Sequence, residues 1–365
     1  MPLFQKKQQS IIGVDIGTSS IKMIELAVRN GRHALSTYGF VEGLGHSATL
    51  VSKEEESYIA KQIMRIKEAT KFTTRTAVAA LPTYAVFTSV ISVPAMSKDE
   101  LASAIQWEAK KIIPLPLEDI VLDSEVLNPP DPNIKHKKGE VDAGEPLKVL
   151  ITGAPKDLVR RYTQIFQEAG LILAGLETET FALSRALVGE DPGEMMIVEL
   201  GAATTDLIIV QKGVPFLARS IEQGGNAITR AIVNSLNISD KRAEQLKRDI
   251  GITTLDTSTG GGGIPQIIER ALEPIVHEIR YTMGLYKEGG ITTVDSTSGS
   301  IEKIILTGGS AMMPNIADYL AKILDMRVVV ADPWSHITYP EDLRPVLAGI
   351  GSRFSVAIGL AMRDV

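Results

Sequence analysis

The chain of 365 residues is too long for one ordinary hydrophobic core and suits two or more domains. With 44% hydrophobic and 22% charged residues it has a globular balance, and a net charge of −6 argues against a nonspecific nucleic-acid binder, which needs a basic surface. It has no cysteine, which excludes disulfides, thiol nucleophiles and zinc–thiolate sites and suits a reducing cytosol.

The opening MPLFQKKQQS has two lysines but no apolar stretch after them, so it does not read as a signal peptide. Residues 11–16 (IIGVDI) are too short to span a bilayer, and no other stretch is expected to. They are apolar and β-branched, as a buried strand requires, and after a GTSS turn a second strand returns over 21–27. A third, 33–40, follows the hairpin dipeptide Asn30-Gly31. Ile59, Ile63 and Ile66 predict a helix over 53–70. Strands at 76–81 and 87–93 each end at a proline. The next helix, 98–113, has Ser97 as N-cap with Glu100 at the capping-box position, and Pro114 and Pro116 end it. Strands at 120–127 and 147–152 flank a polar loop rich in proline and charge, and a helix over 157–169 closes at Gly170.

The opening pattern returns at 195–210 (MMIVEL, GAATT, DLIIV), with a third strand at 214–221 after Lys212-Gly213, which points to an internal duplication. Helices follow at 225–236 and 240–250, then a glycine-rich loop at 253–263. An amphipathic helix over 264–286 contains Pro274, where a kink is expected. Strands at 303–306 and 327–330 have a helix between them, and 353–363 is the last helix. Three strands followed by helices is not the dinucleotide-binding pattern, and residues 13–19 carry neither GxGxxG nor a Walker A sequence.

The run Asp15-Ile16-Gly17-Thr18-Ser19-Ser20-Ile21-Lys22 concentrates the chemistry. Its turn offers glycine, hydroxyls and backbone N–H groups, a concavity suited to phosphate oxygens. Asp15 ends a buried strand, where a carboxylate needs a partner such as hydrated magnesium, and Lys22 can reach the same phosphates. An ordinary hairpin with an Asp–Lys salt bridge has the same spacing. Glu199-Leu200-Gly201-Ala202-Ala203-Thr204-Thr205-Asp206 repeats the layout, so the two turns make a clamp across a cleft. The five histidines, at 33, 46, 136, 277 and 336, show no metal-ligand spacing. Trp107 and Trp334 are expected to be packing residues, and the lysines at 135, 137 and 138 a solvated face.

The paired turns resemble the phosphate loops of the actin, Hsp70 and sugar-kinase superfamily, and Ile305-Leu306-Thr307-Gly308-Gly309-Ser310 resembles its adenosine motif. Within it, Ile221-Glu222-Gln223-Gly224-Gly225-Asn226, Ala243-Glu244-Gln245-Leu246-Lys247, the connecting-helix segments at 177–187 and 359–363, and Ile113-Pro114-Leu115-Pro116-Leu117-Glu118-Asp119 are similar to the FtsA/PilM branch, and most to the pilus-assembly PilM family. The resemblance implies an α/β, actin-like (ribonuclease H-like) two-lobed fold with a duplicated core. The first core domain would occupy 1–75 and 156–190, with a partner-binding subdomain inserted at 76–155. The second would occupy 191–222 and 301–365, with a nucleotide-lid subdomain at 223–300.

It also implies that ATP is held by Asp15, Gly17, Thr18, Ser19, Ser20, Lys22, Glu199, Gly201, Ala202, Thr204, Gly224, Gly225, Glu244, Lys247, Gly308, Gly309 and Ser310, with Asp15 and Glu199 binding Mg²⁺ through water. Glu199 stands where many relatives have Asp, so at most slow hydrolysis is expected. The implied partners are the N-terminal tail of a PilN-like membrane protein, other pilus-assembly components and further copies of the chain. The implied place is the cytoplasmic side of the inner membrane, reached through the partner. A chain ending at Val365, without a C-terminal anchor helix, favours PilM over FtsA. An FtsA-like division protein and a small-molecule kinase are the alternatives.

Overall fold

The structure, a computed structural model, describes residues 10–44, 52–94, 96, 98–127, 146–252, 263–288 and 300–363, with the backbone alone at 98 and 99. The first half runs β1 (Ser10–Ile16), β2 (Ser20–Arg29), β3 (Arg32–Glu42), α1 (Lys53–Ala69), β4 (Thr76–Leu81), β5 (Phe87–Val93), α2 (Lys98–Ile112), β6 (Ile120–Val126), β7 (Leu147–Pro155), α3 (Lys156–Glu168), β8 (Ile172–Thr178) and α4 (Glu179–Leu187). The second runs β9 (Glu194–Leu200), β10 (Thr205–Gln211), β11 (Val214–Ile221), α5 (Gly225–Leu236), α6 (Asp240–Ile250), α7 (Ile264–Lys287), β12 (Lys303–Thr307), α8 (Ile316–Leu324), β13 (Val328–Val330), α9 (Arg344–Ile350) and α10 (Ser355–Ala361).

Two five-stranded sheets share one plan. Their orders are β3-β2-β1-β4-β8 and β11-β10-β9-β12-β13. In each, three antiparallel strands are followed by two parallel ones. Both central strands are buried on both faces, so their side chains divide by the period of two between an outer and an inner core. Ile12 and Val14 of β1 join α1 and α3 outside, while Met196 and Val198 of β9 join α5 and α7 on the far side. Ile11 of β1, with Met195 and Ile197 of β9, meets Ala182 and Leu183 of α4 and Val356 and Leu360 of α10 between the sheets. α4 and α10 are thus a middle layer shared by both halves. They can cross closely because Gly359 has no side chain: a Cβ there would lie 1.9 Å from the Ala182 carbonyl oxygen.

A third sheet, β5-β7-β6, carries α2 on one face. On the other, Val90 and Leu150 pack with Phe181 of α4 and with Val214 and Phe216 of β11. β4 belongs to the first sheet, between β1 and β8, so the third sheet begins at Phe87 and not at the expected boundary, Thr76.

Several expectations need correction. β8 lies between Gly170 and Glu179, where no strand was expected. It is an outermost strand, only partly buried, and its apolar stretch is interrupted by Gly175 and ended by Glu177. The last helix starts at Ser355, after a 3₁₀ turn over Gly351–Phe354, and α9 precedes both. Trp334 is buried as expected, but Trp107 is 65% exposed, with the Lys111 ammonium over its ring. Pro274 lies inside α7. Ser97 and the expected loops at 128–145 and 253–262 lie outside the described residues. Contrary to the expectation that no stretch is long and apolar enough to cross a membrane, Glu341–Ala361 passes that test by length and composition, with mean hydropathy 1.2 over an 18-residue window. Every residue of α10 is buried, and core packing accounts for its apolarity.

Candidate functional site

Period-two alternation puts Asp15 at the end of the inner row of β1 and Glu199 at the end of the inner row of β9. Each strand then turns back in the same way. The Gly17 N–H donates to the Ser20 carbonyl at 2.9 Å, and the Gly201 N–H to the Thr204 carbonyl at 3.0 Å. On the return strands Asp15 faces Lys22 across the ladder, and Glu199 faces Asp206. The two turns therefore match in backbone and differ in charge. Lys22 Nζ lies 2.8 Å from Asp15 Oδ2, and Asp15 is only 4% exposed.

A third acid joins the second turn. Glu179, the first residue of α4, brings a carboxylate oxygen within 4.8 Å of Glu199 and Asp206. Burial and neighbouring negative charge push Glu199 up to about 8. Burial takes Asp206 up to about 6, against contacts from Ser220, Thr83 and Glu179. Burial, then the charges of Asp206, Glu199 and Asp15, hold Glu179 well above the usual carboxylate range. Glu199 Oε2 and Asp206 Oδ1 are buried without a hydrogen-bond partner among the described residues. Clustered hard oxygen donors with unsatisfied lone pairs fit a small divalent cation. Oxygen-rich Mg²⁺ coordination, completed by water, suits this donor set.

The opposite end of the cleft is built from helices and glycines. The first N–H groups of α5 are taken by the second turn, from Gly225 to the Gly201 carbonyl (2.9 Å) and from Asn226 to the Ala202 carbonyl (2.8 Å). Lys247 is buried and tied internally, 3.1 Å from the Gly225 carbonyl, 3.0 Å from Thr229 Oγ1 and 2.7 Å from Glu244. Burial works to raise Glu244, but Lys247, Thr229 and Arg248 together draw it down to about 2. Gly308 has φ +89°, and a Cβ there would lie 2.5 Å from the Leu200 carbonyl oxygen, so glycine is required both for conformation and for space. Ser352 holds that turn, accepting from the Gly308 N–H and donating its hydroxyl to the Gly308 carbonyl.

One cavity of about 750 Å³ gathers both turns, the three acids, Glu244, Lys247 and Gly308-Gly309-Ser310. Of the expected site residues only Gly224 does not line it. A Cβ on Gly224 would lie 2.8 Å from the carbonyl oxygens of Gly201 and Ala202, so it lets α5 start against the turn. The cavity also takes in Glu179, Asp206, Tyr84 and Arg353, which were not expected there. Asp206 had a signal in the sequence, its place opposite Glu199 in the repeated motif. For Glu179 the signal was the segment at 177–187 alone, since nothing local ties it to a turn 20 residues on.

Comparison with known proteins agrees with this geometry. FtsA of Neisseria meningitidis serogroup B is 27% identical over 228 residues, which cover 58% of this chain and 52% of that one, so the chain spans about half its length. FtsA of Bacillus subtilis is 23% identical over 354 residues, 88% and 78% of the two chains. Among solved structures, the PilM–PilN type IV pilus biogenesis complex matches with a TM-score of 0.78 at 26% identity, over 97% of this chain and 98% of that one. EutJ of Carboxydothermus hydrogenoformans matches with 0.54 at 13% identity, over 98% and 91%, and shows the fold alone. Two like sheets around a shared helical layer, with paired turns facing one cavity, make this an actin-like protein. Within that class, the family described as type IV pilus assembly protein PilM matches residues 13–365. The chain belongs to that family.

Proposed function

We propose that the chain is an ATP-binding platform of type IV pilus assembly. It would take ATP with Mg²⁺ in the central cavity and dock the N-terminal tail of a PilN-like membrane protein, which would hold it at the cytoplasmic face of the inner membrane. The observation that carries the nucleotide part is the pair of turns with identical backbone bonding on one cavity, one bearing Lys22 and the other facing three acids.

In this reading the N–H groups of both turns other than those of Gly17 and Gly201, together with Lys22, bind phosphate oxygens. Asp15, expected as a ligand of the cation, instead orients Lys22, to which it is ion-paired, and Glu179, Glu199 and Asp206 hold the cation with its waters. Bound there, Mg²⁺ would offset phosphate charge. Gly308 and Gly309 let the backbone approach the nucleoside. ATP would act mainly by fixing the arrangement of the two halves, with slow turnover. Calorimetry on nucleotide-free protein should give micromolar-class ATP binding that needs Mg²⁺. Asp15→Asn, which keeps the shape but releases Lys22, should weaken it by about tenfold or more. A folded protein with no ATP binding would defeat the reading.

The partner part is supported by the PilM–PilN complex, similar over nearly the whole chain, and by the third sheet, which the paired-turn core does not need. We place the groove between that sheet and the first core, where an extended peptide could add along an edge. A synthetic PilN-like tail peptide should bind the full chain. It should fail on a variant with residues 87–154 replaced by a short glycine–serine linker that still binds ATP. Binding unchanged in that variant would put the groove elsewhere.

A further inference from the structure

The acid at the head of α4 is held by a residue outside both turns. Thr83 opens a 3₁₀ turn, Thr83–Ala85, in the segment that leads from β4 into the third sheet. Its backbone N–H donates to Glu179 Oε2 at 2.9 Å, and its hydroxyl donates to the same oxygen at 3.2 Å. A carboxylate held at one oxygen by two donors keeps a fixed plane and can present its other oxygen. The residues on either side, Pro82 and Tyr84, line the cavity itself. The same helix is braced a second time from that side, where Val90 and Leu150 pack with Phe181, two residues beyond Glu179.

We infer that Thr83 is the positioning residue of the cation seat, fixing the Glu179 carboxylate toward Glu199 and Asp206. The inference rests on the proposed reading of the acids as a divalent-cation site. Groups that hold a metal ligand from behind set its orientation, and their loss costs about 10–100-fold in metal affinity. Glu179 has a particular need of such help, because repulsion from two neighbouring acids would otherwise turn it away.

Three variants separate the two donors. Thr83→Ser keeps both. Thr83→Val removes the hydroxyl alone. Thr83→Pro removes both at a position that tolerates proline: the first residue of a helical turn does not need its N–H for the turn, and Pro82, at ψ 138°, already has the conformation suited to a residue before proline. The probe is Mn²⁺, titrated against the full chain and followed by electron paramagnetic resonance. The melting temperature and the far-ultraviolet circular dichroism, both in EDTA, are measured alongside. We expect wild-type Mn²⁺ affinity in Thr83→Ser, a several-fold loss in Thr83→Val and about 10–100-fold in Thr83→Pro. Both EDTA measurements should stay unchanged. Unchanged Mn²⁺ affinity in Thr83→Pro would overturn the assignment. So would a loss matched by a lower melting temperature or an altered spectrum in EDTA, the mark of a merely structural residue. Failure of the unaltered protein to bind Mn²⁺ would overturn the cation reading and this inference together.

Discussion

Replacing Glu199 with glutamine should raise the stability of the metal-free protein at pH 8 and remove most of its response to Mg²⁺. Glu199 is held at about 8, and Asp206 at about 6, mainly by burial. Both lie above the ordinary carboxylate values, so between about pH 4.5 and 8 the folded chain binds more protons than the unfolded one. Stability therefore falls as pH rises through that window. At ~1.4 kcal/mol per tenfold in proton affinity, the cost at pH 8 is on the order of 3–5 kcal/mol for Glu199. Glutamine keeps the shape without that cost. A cation at the three acids replaces the protons and should restore most of the loss. Scanning calorimetry in EDTA should show the wild-type melting temperature falling from pH 5.5 to 8, with Mg²⁺ stabilising more at pH 8 than at pH 6. Glu199→Gln should flatten both trends. Parallel curves for the two proteins would contradict this account.

The largest structural penalty is expected at the crossing of the two central helices. A methyl group on Gly359 would lie 1.9 Å from the Ala182 carbonyl oxygen and 2.5 Å from its carbon, backbone atoms that cannot turn aside. Gly13 meets α10 in the same way, with a Cβ 2.0 Å from the Ala357 carbonyl oxygen. Either Gly→Ala change forces α10 off its seat between the sheets, where the strands of both halves meet it. Gly359→Ala should cost about 3 kcal/mol or more, by denaturant unfolding or by loss of soluble yield. Gly284, inside α7, has nothing within 4 Å of its Cβ position. There alanine should stabilise by roughly 0.5–1 kcal/mol through helix propensity. The opposite signs of two identical substitutions make the comparison decisive.

What could be read from sequence followed burial. β1 and β9 are covered on both faces, so they appear as apolar runs ended by an acid and a glycine turn, and the duplication is visible. β8 and β13 sit at sheet margins; the first, partly buried and interrupted by Gly175, was not expected. β4 is apolar and buried, and although the resemblance implied that an inserted unit starts at Thr76, β4 is a strand of the core sheet. The cluster of three acids was half legible. Glu199 ends a recognisable motif, while Glu179 comes from a helix that reaches the acids only because α4 passes between the sheets. Lys247, expected to face the ligand, lines the cavity while donating to Gly225, Thr229 and Glu244. Spacing on a helix reports which face a residue shares, not what it will find there.

The two turns are copies in backbone and opposites in charge. Opposite Asp15 the ladder has Lys22; opposite Glu199 it has Asp206. Two jaws alike in side chain as well would accept a guest in either of two directions related by the twofold repeat. Here one jaw offers a cation and the other offers only anions. The repeat supplies a symmetric frame, and this exchange of charge gives it a direction, so that under the proposed reading a polyanion and its counterion would be seated one way round.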